Sequence, residues 1–408
     1  MVADDEALTV PVAARESRTW YPRDTGYFSR REIDRQTGEY EAIIPIRLAD
    51  WQPTIAGRLA AELDDATSAI IDFDSYADRR LGAGDATLGP MAAILLRSES
   101  ASSSQIENLT SSARQLALAE LGEASAANSR TVVGNVRAME AALALADRLD
   151  ASAILQMHRA LLEHQQGMSE YAGRWREELV WTGPGDAGPL TADFVAPHHE
   201  RLEAAVDDLV RFMARNDLPV LLHVAIAHAQ FETLHPFVDG NGRTGRALAQ
   251  AMLKAKGVVT RSTVPISSGL LADIGSYFAA LTAFRHGDAA PIVRRFAHAA
   301  LFAAATGAQL IDDLAEALQD ARSRLTGVRS DATAHRVLPL LIAQPVVTTG
   351  YLVGALGLNE VAAKRAIDTL VERQVLVETS GRRRGRTWAQ TGVLAALDAY
   401  ARRGIRRR

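Results

Sequence analysis

A histidine, a carboxylate and two arginines lie within twelve consecutive residues, His-Pro-Phe-Val-Asp-Gly-Asn-Gly-Arg-Thr-Gly-Arg at 235–246. The apolar run Val220 to Leu234 before them has helical spacing. Pro236 disfavours the αR conformation for the preceding residue, so this helix is predicted to end at His235. The imidazole should therefore stand at the mouth of a loop, where it could act as a base toward an incoming hydroxyl.

The loop and the residues after it have the composition of an anion site. Gly240 and Gly242 flank Asn241, which frees backbone N–H groups to converge, and a second helix is predicted to begin at Arg243. Arg243 and Arg246 are three residues apart, on neighbouring positions of one helix face. A helix N-terminus, a glycine-flanked nest and two arginines suit a polyphosphate.

A carboxylate, Asp239, lies on the same loop and could hold a Mg²⁺ ion shared with those phosphates. Taken singly, the residues also have ordinary explanations. His235 could be a helix-end histidine, Phe237 a plug that locks the loop to the core, and Gly-Asn-Gly a simple turn. Their combination at this spacing favours the chemical interpretation.

The whole stretch matches the Fic family signature, H-P-F-x-D/E-G-N-G-R-x-x-R, at every constrained position. The resemblance implies that His235 deprotonates a Tyr, Thr or Ser hydroxyl of a target protein. That hydroxyl attacks the α-phosphate of ATP, so AMP is transferred and pyrophosphate leaves. Asp239 then corresponds to the Mg²⁺ ligand, and Arg243 and Arg246 to the clamps on the β- and γ-phosphates. The nucleotide-binding residues implied are Gly240, Asn241, Gly242, Arg243, Thr244, Gly245, Arg246 and Tyr277; for Tyr277, core packing is an equally good explanation.

A second segment, residues 103–108, reads Ser-Ser-Gln-Ile-Glu-Asn and would by itself be typical of a solvated helix face. It resembles the inhibitory pattern of many Fic proteins, in which Ser or Thr, three variable residues and Glu are followed by Gly or Asn. Ser103 and Glu107 occupy the constrained positions. A glutamate paired with the second motif arginine occupies a cation that the γ-phosphate needs, so the resemblance predicts an inhibitory Glu107–Arg246 pair.

Two β-prone runs, Leu179 to Thr182 and Asp193 to Val195, are separated by a Gly-rich connection and predict a hairpin. In Fic proteins a flap of this kind pairs with an extended segment of the target. His198 and His199 follow the hairpin. Because adjacent histidines point apart on a strand or a helix, a metal site is not expected there.

Composition excludes several classes of protein. The 408 residues contain 48% hydrophobic and 23% charged residues, as soluble globular domains do. The absence of cysteine excludes disulfides, a thiol nucleophile and thiolate metal sites. The N-terminus is acidic and no stretch of about 18 uncharged apolar residues occurs, so the chain is predicted to be cytoplasmic and without a membrane partner.

The last 78 residues are electrostatically distinct, because residues 331–408 carry 13 Lys and Arg against six Asp and Glu in a chain of net charge −4. Their pattern predicts a winged helix-turn-helix with a basic wing tip at 380–385. Such a module contacts DNA phosphates or bridges protein partners, and both readings stay open. The predicted elements are helices at 335–343, 349–356 and 360–373, capped at Asn359, and strands at 375–378 and 386–389.

The predicted fold is mainly α: a Fic-type helical core with a β-hairpin flap, followed by the winged helix-turn-helix. The predicted divisions are an N-terminal region at 1–95, a Fic domain at 96–310, a connecting helix at 311–330 and the C-terminal module at 331–408. The predicted function is a protein adenylyltransferase that modifies target proteins and itself with Mg-ATP, autoinhibited through Glu107.

Two alternatives share these residues. In the first, the same site removes AMP from a modified protein, with Glu107 orienting water. In the second, the chain is a DNA-binding regulator whose Fic core senses nucleotide. A kinase reaction, as in Doc relatives, is disfavoured because those carry lysine where Gly242 stands. The target protein and the oligomeric state stay open.

Overall fold

The computed structural model describes residues 7–22, 28–81, 88–123, 127–184, 188–380 and 385–405. Helices dominate these ranges, which confirms the mainly α prediction. The strands are β1 (Ala14–Trp20), β2 (Gly38–Ile44), β3 (Trp181–Thr182), β4 (Phe194–Val195), β5 (Val346–Val347), β6 (Val377–Glu378) and β7 (Trp388–Ala389). The helices are α1 (Arg30–Arg35), α2 (Gly57–Leu81), α3 (Leu88–Ile106), α4 (Ala113–Glu120), α5 (Ala127–Ala144), α6 (Ala151–Leu162), α7 (Leu202–Met213), α8 (Val220–Leu234), α9 (Asn241–Ala255), α10 (Ile266–Ala272), α11 (Ile274–Arg285), α12 (Ala290–Arg324), α13 (Thr333–Val337), α14 (Leu340–Ala343), α15 (Thr349–Leu356), α16 (Glu360–Glu372) and α17 (Thr391–Ile405).

The chain divides into two compact units that do not follow chain order. The first unit comprises Met1–Asp65, Ala141–Lys256 and Gly275–Ala297. The second comprises Ala66–Glu140, Gly257–Ile274 and His298–Arg408. Within the described ranges no single helix has the length and apolar character of a membrane span, although α10 and α11 reach them as a bent pair.

In the first unit, an antiparallel ribbon of β1 and β2 packs beside the short β3–β4 hairpin. Tyr40, Ala42 and Val195 form a buried cluster, against which Trp20 and Trp181 meet edge to face at 5.4 Å between ring centroids. Strand β1 is not recognisable from the sequence, because its residues, ARESRTW, have almost no apolar alternation.

Helices α8 and α9 form the centre of the first unit. All of α8 except Val220 is buried, as expected for a helix that is apolar all round. The two helices approach closely at Gly245, where a Cβ would lie 2.9 Å from Phe231 Cδ1. Glycine at this position therefore sets the distance between the helices on either side of the loop.

The loop between α8 and α9 is built on two left-handed residues. His235 ends α8 with φ 47°, outside the αR region as Pro236 requires. Gly240 precedes α9 with φ 80°, and a Cβ there would lie 2.7 Å from Leu161 Cδ2. Asn241 closes the loop, because its side chain accepts from Phe237 N–H at 2.9 Å and donates to Phe237 C=O at 2.8 Å. The helix starts at Asn241, two residues earlier than predicted.

A buried guanidinium fastens this loop to both ends of the hairpin. Arg176 is 3% exposed, and its Nε donates to His235 C=O at 2.7 Å. Its other donors reach Glu178 C=O at 2.8 Å and Pro197 C=O at 2.6 Å, on the two sides of β3–β4. Burial lowers the pKa of Arg176 to about 10, so the group stays protonated at neutral pH.

A neutral histidine holds the other side of the loop. His158 Nδ1 accepts from Gly173 N–H at 3.0 Å, so the proton is on Nε2, which donates to Asp239 C=O at 2.9 Å. Its ring stacks on Phe237 at 3.6 Å between centroids, and Trp175 also stacks on Phe237, at 5.1 Å. Burial lowers the pKa of His158 to about 4, which keeps the ring neutral.

In the second unit, the C-terminal segment from α13 to α17 has the element order helix, helix, strand, helix, helix, strand, strand, helix, with its strands arranged β5-β7-β6. Asn359 caps α16 as predicted, its side chain accepting from Ala362 N–H at 2.8 Å. The single helix predicted from 335 to 343 is wrong: two helices meet at Leu338 and Pro339, since proline has no N–H to continue the ladder. Residues 381–384 of the predicted wing tip and 406–408 lie outside the described ranges.

Replacing Arg176 by methionine is expected to destabilise the protein by roughly 3 kcal/mol or more, because several buried carbonyls lose their donor. Urea unfolding of Arg176→Met, wild type and Arg174→Met measures the effect; Arg174 is an exposed neighbour of the same type. Equal stability of the two variants would contradict the role of Arg176 in joining the loop to the hairpin.

Stability should depend on pH through His158. Its pKa of about 4 in the fold is below the ordinary value of 6.5, so the unfolded chain binds the proton first as pH falls. The stabilisation is complete above pH 6.5 and is lost toward pH 4, by about 3 kcal/mol in total. Between pH 6.5 and pH 4, the free energy of unfolding of His158→Gln should fall by correspondingly less than that of wild type. A change at the exposed His164 should leave the dependence of this free energy on pH as in wild type. Parallel profiles for wild type and His158→Gln would refute the assignment.

Candidate active site

The predicted base, His235, is held in a defined tautomer. Its Nδ1 lies 3.3 Å from Glu232 C=O, and since a carbonyl only accepts, Nδ1 carries the hydrogen. The lone pair is then on Nε2, which is the atom able to take a proton. The ring of Phe194, in β4, meets the imidazole edge to face at 6.3 Å between centroids. The geometry thus brings the base beside the hairpin.

The first motif arginine has unused donors in a buried position. The Arg243 side chain is 4% exposed, and its Nη2 lies 3.1 Å from Asp239 Oδ2. Its Nε and Nη1 are buried and have no hydrogen-bond partner among the described residues. Unpaired buried donors cost free energy, so they indicate a place for an anion. Arg246 is equally buried one turn further along α9, whose N-terminus adds its own positive potential.

The chemistry of Asp239 fits a shared Mg²⁺ ion. The carboxylate is 41% exposed and offers hard oxygen ligands beside the donors of Arg243. Mg²⁺ in nucleotide sites is bound by one or two carboxylates, substrate phosphates and water. A single accessible carboxylate next to an anion site matches this requirement.

The structure separates the predicted nucleotide-binding residues into two groups. Gly240 and Gly242 shape the loop at the helix N-terminus, whereas the Asn241 side chain turns inward to Phe237. Thr244 is fully buried, and Gly245 faces α8. Both residues are thus packed in the interior, and their role in nucleotide binding stays a prediction.

Tyr277, in α11, lies in the core of the first unit. Its side chain is 1% exposed, and its hydroxyl lies 2.8 Å from His228 Nε2. Burial and the nearby charge of Arg246 lower the pKa of His228 to about 3, so this histidine is neutral. Of the two explanations for Tyr277, core packing is the one that this burial fits.

The hairpin is shorter than predicted, with two residues in each strand. Gly183 has φ 102°, and a Cβ there would lie 2.5 Å from Asp193 Oδ2, so glycine is required at this corner. Arg285 lies over the Phe194 ring at 3.7 Å from its centroid, a cation–π contact that fixes the ring near His235. Residues 185–187 of the connection lie outside the described part of the chain.

The predicted inhibitory residues lie at the C-terminal end of α3, in the second unit. Ser103 is fully buried and Glu107 is exposed, one residue after the helix ends. Asn108 has φ 60°, a left-handed conformation that Gly and Asn adopt most readily. The Gly or Asn at the end of the pattern is thus explained as the residue that terminates this helix. The Glu107–Arg246 pair stays a prediction.

His198 and His199 do not point apart as expected. Their ring centroids are 4.1 Å apart, because a 3₁₀ turn at His199–Arg201 replaces the regular strand or helix assumed from sequence. Their candidate ligand atoms lie within 4.8 Å of Glu200. However, Arg18 already binds the Glu200 carboxylate at 3.1 Å, so the cluster is part of an ion-pair network that joins β1 to this turn.

Two residues that organise the site escaped the sequence analysis. Arg176 and His158 lie 59 and 81 residues from the loop atoms they bind. No local pattern marks either residue. The only available signal was their type, since an arginine or histidine that becomes buried on folding needs a partner.

Comparison with known proteins identifies similar chains that share the region of the candidate site. The Fic/DOC family matches residues 148–253. The chain is 31% identical over 148 residues to a protein adenylyltransferase Fic of Nematostella vectensis, and 31% identical over 153 residues to protein adenylyltransferase fic-1 of Caenorhabditis elegans. These matches cover 35% and 36% of this chain but only 30% and 26% of those relatives.

A solved structure extends the similarity of fold beyond the motif region. A Fic family protein from Desulfovibrio desulfuricans G20 superimposes with a TM-score of 0.51 at 22% identity, covering 84% of this chain and 99% of that one. Residues 148–253, which hold the candidate site, are thus the part of the chain that matches the Fic/DOC family.

Proposed function

We propose that this chain is a protein adenylyltransferase that transfers AMP from Mg-ATP to Tyr, Thr or Ser hydroxyls of target proteins and of itself. One observation carries the proposal: Arg243 presents buried, unpaired donors at the N-terminus of α9, a few residues after a histidine whose Nε2 can accept a proton. The names of the related proteins describe the same activity.

The residues would divide the reaction as follows. The target hydroxyl oxygen attacks the α-phosphorus, and His235 Nε2 takes the hydroxyl proton. The bond from the α-phosphorus to its bridging oxygen breaks, and pyrophosphate leaves with the bonding electrons. Arg243 and Arg246 would hold the β- and γ-phosphates and so keep the leaving group in line with the attacking oxygen. Bound through Asp239, Mg²⁺ would neutralise part of the phosphate charge.

We propose that the β3–β4 hairpin positions the target. An extended segment of a target protein would add to the hairpin by main-chain hydrogen bonds, which places its hydroxyl beside His235. The contact between Phe194 and His235 supports this arrangement, since β4 is next to the base. Because main-chain pairing is permissive, surface features outside the hairpin would choose among targets.

We further propose that Glu107 inhibits transfer by pairing with Arg246, so that bound ATP cannot place its γ-phosphate productively. The position of Glu107 just past the end of α3, in the segment that resembles the inhibitory pattern, supports this proposal. We also propose a winged-helix module at 331–408, in agreement with its element order. Its net charge of +7 favours DNA phosphates, while many such modules bridge proteins.

His235→Ala should abolish AMP transfer while ATP still binds, because the phosphate-binding site is built from other residues.

Asp239→Ala should abolish metal-dependent turnover. Both are measured by incorporation of α-labelled ATP into proteins of a lysate, with nucleotide affinity measured in parallel and Asp207→Ala as an exposed control. Loss of ATP affinity in folded His235→Ala, or full Mg²⁺-dependent activity of Asp239→Ala, would contradict the assigned roles.

Glu107→Gly should raise AMP transfer, most visibly as self-labelling, by about ten- to a hundredfold, which corresponds to roughly 1.4–2.8 kcal/mol of relieved penalty. The double variant with His235→Ala serves as the control and should show no labelling. Unchanged labelling of Glu107→Gly would reject inhibition through this residue. Reduced AMP removal from a modified substrate would instead favour the reverse reaction.

A further inference from the structure

A cavity of about 390 Å³ lies wholly within the second unit, among residues that the proposed chemistry does not use. This volume is in the range of small-molecule sites. Its lining includes residues of α3 and residues of α17. Apolar side chains from six helices line it: Ile94, Leu116, Val132, Leu271, Phe302 and Leu397.

The two charged residues that line the cavity differ in whether they have a partner. Arg97 lines it, but its guanidinium is paired with the Glu120 carboxylate and also donates to the Ala343 carbonyl. This pair is electrically neutral. Asp398, on the α17 wall, is half-buried and has neither an ion-pair nor a hydrogen-bond partner among the residues that the structure describes. A partly buried carboxylate without a partner beside apolar walls is complementary to a cation.

A second carboxylate deepens the negative potential. Glu99 is 1% exposed, next to the cavity residue Ser98, and accepts from Ser267 N–H and Oγ at 2.8 and 2.6 Å. Burial raises the pKa of the lining residue Tyr400, and the nearby Glu99 carboxylate acts in the same direction. An anionic ligand would therefore be disfavoured, and a neutral one would leave Asp398 unpaired.

We propose that this cavity binds a small apolar amine, with its ammonium group on Asp398 and its hydrocarbon body against Ile94, Leu116 and Phe302. The apolar walls supply the area that such a ligand buries, and the single unpaired carboxylate sets its charge. The serines along the α3 wall, Ser98 and Ser102, are neutral and tolerate either a methylene or a further donor.

The position of the cavity connects this ligand to the proposed inhibition. Gln105 and Thr110 both line it, and they bracket Glu107 in the sequence. Glu107 lies on a tight turn, with Leu109 N–H donating to Ser104 C=O at 3.0 Å. A ligand that fills the cavity therefore contacts the chain on both sides of the glutamate. This regulatory part rests on the proposed function; the binding itself does not.

Binding is tested on the full chain with three compounds that share one hydrocarbon body: 4-phenylbutylamine, 4-phenylbutan-1-ol and 4-phenylbutanoate. Calorimetry should show the amine binding roughly tenfold or more tighter than the alcohol, and the carboxylate weakest. Asp398→Asn keeps the shape and should remove the preference for the amine, while the exposed control Asp368→Asn should retain it. Equal affinity for amine and alcohol, or a preference that survives Asp398→Asn, would overturn the proposal.

The regulatory part has a readout that does not need catalysis. Hydrogen exchange of residues 105–112 should change on saturation with the amine, and self-labelling of wild type should change with it, but not that of Glu107→Gly. Amine binding with unaltered exchange at 105–112 would overturn this part. If Glu107→Gly itself shows no labelling at all, the proposed transferase activity fails, while the calorimetric result for the cavity stands on its own.

Discussion

The arrangement of the candidate site depends on one buried cation. Helix α8 ends inside the protein, where its last carbonyls cannot reach water, and Arg176 donates to His235 C=O and to the Leu234 carbonyl at 3.4 Å. The same guanidinium reaches the carbonyls of Glu178 and Pro197 on the two sides of the hairpin. The position of the base and the position of the hairpin are therefore set by a single planar group with five donors.

Neutral histidines bind other polar groups of this interior without adding buried charge. His158, His223 and His228 are all buried, and burial lowers their pKa values to about 4, 4 and 3. Each can then donate from one ring nitrogen without the cost of a buried charge. Besides Arg176, the charged groups at the loop and the start of α9 include Arg243, Arg246 and the Asp239 carboxylate, a distribution that suits a polyphosphate with Mg²⁺.

The motif residues and the conformation of the loop could be predicted from the sequence, because glycine and proline act locally. Pro236 indicated the end of α8, and the left-handed φ of 71° at Gly257 after α9 follows from the same local rules. The burial of Thr244, Gly245 and Tyr277 could not be predicted, since packing against another helix is not encoded in a motif. Arg176, His158 and strand β1 depend on contacts distant in the sequence, and no periodicity reveals them.

The direct test of the central claim is to incubate the chain, with Mg²⁺ and a lysate, in parallel with ATP labelled at the α-phosphate and ATP labelled at the γ-phosphate. The proposed reaction transfers the α-phosphorus and releases the other two. We therefore predict that protein acquires the α-label alone and that the label requires His235. Transfer of the γ-label, or α-labelling that persists without the histidine, would contradict an adenylyl transfer at this site.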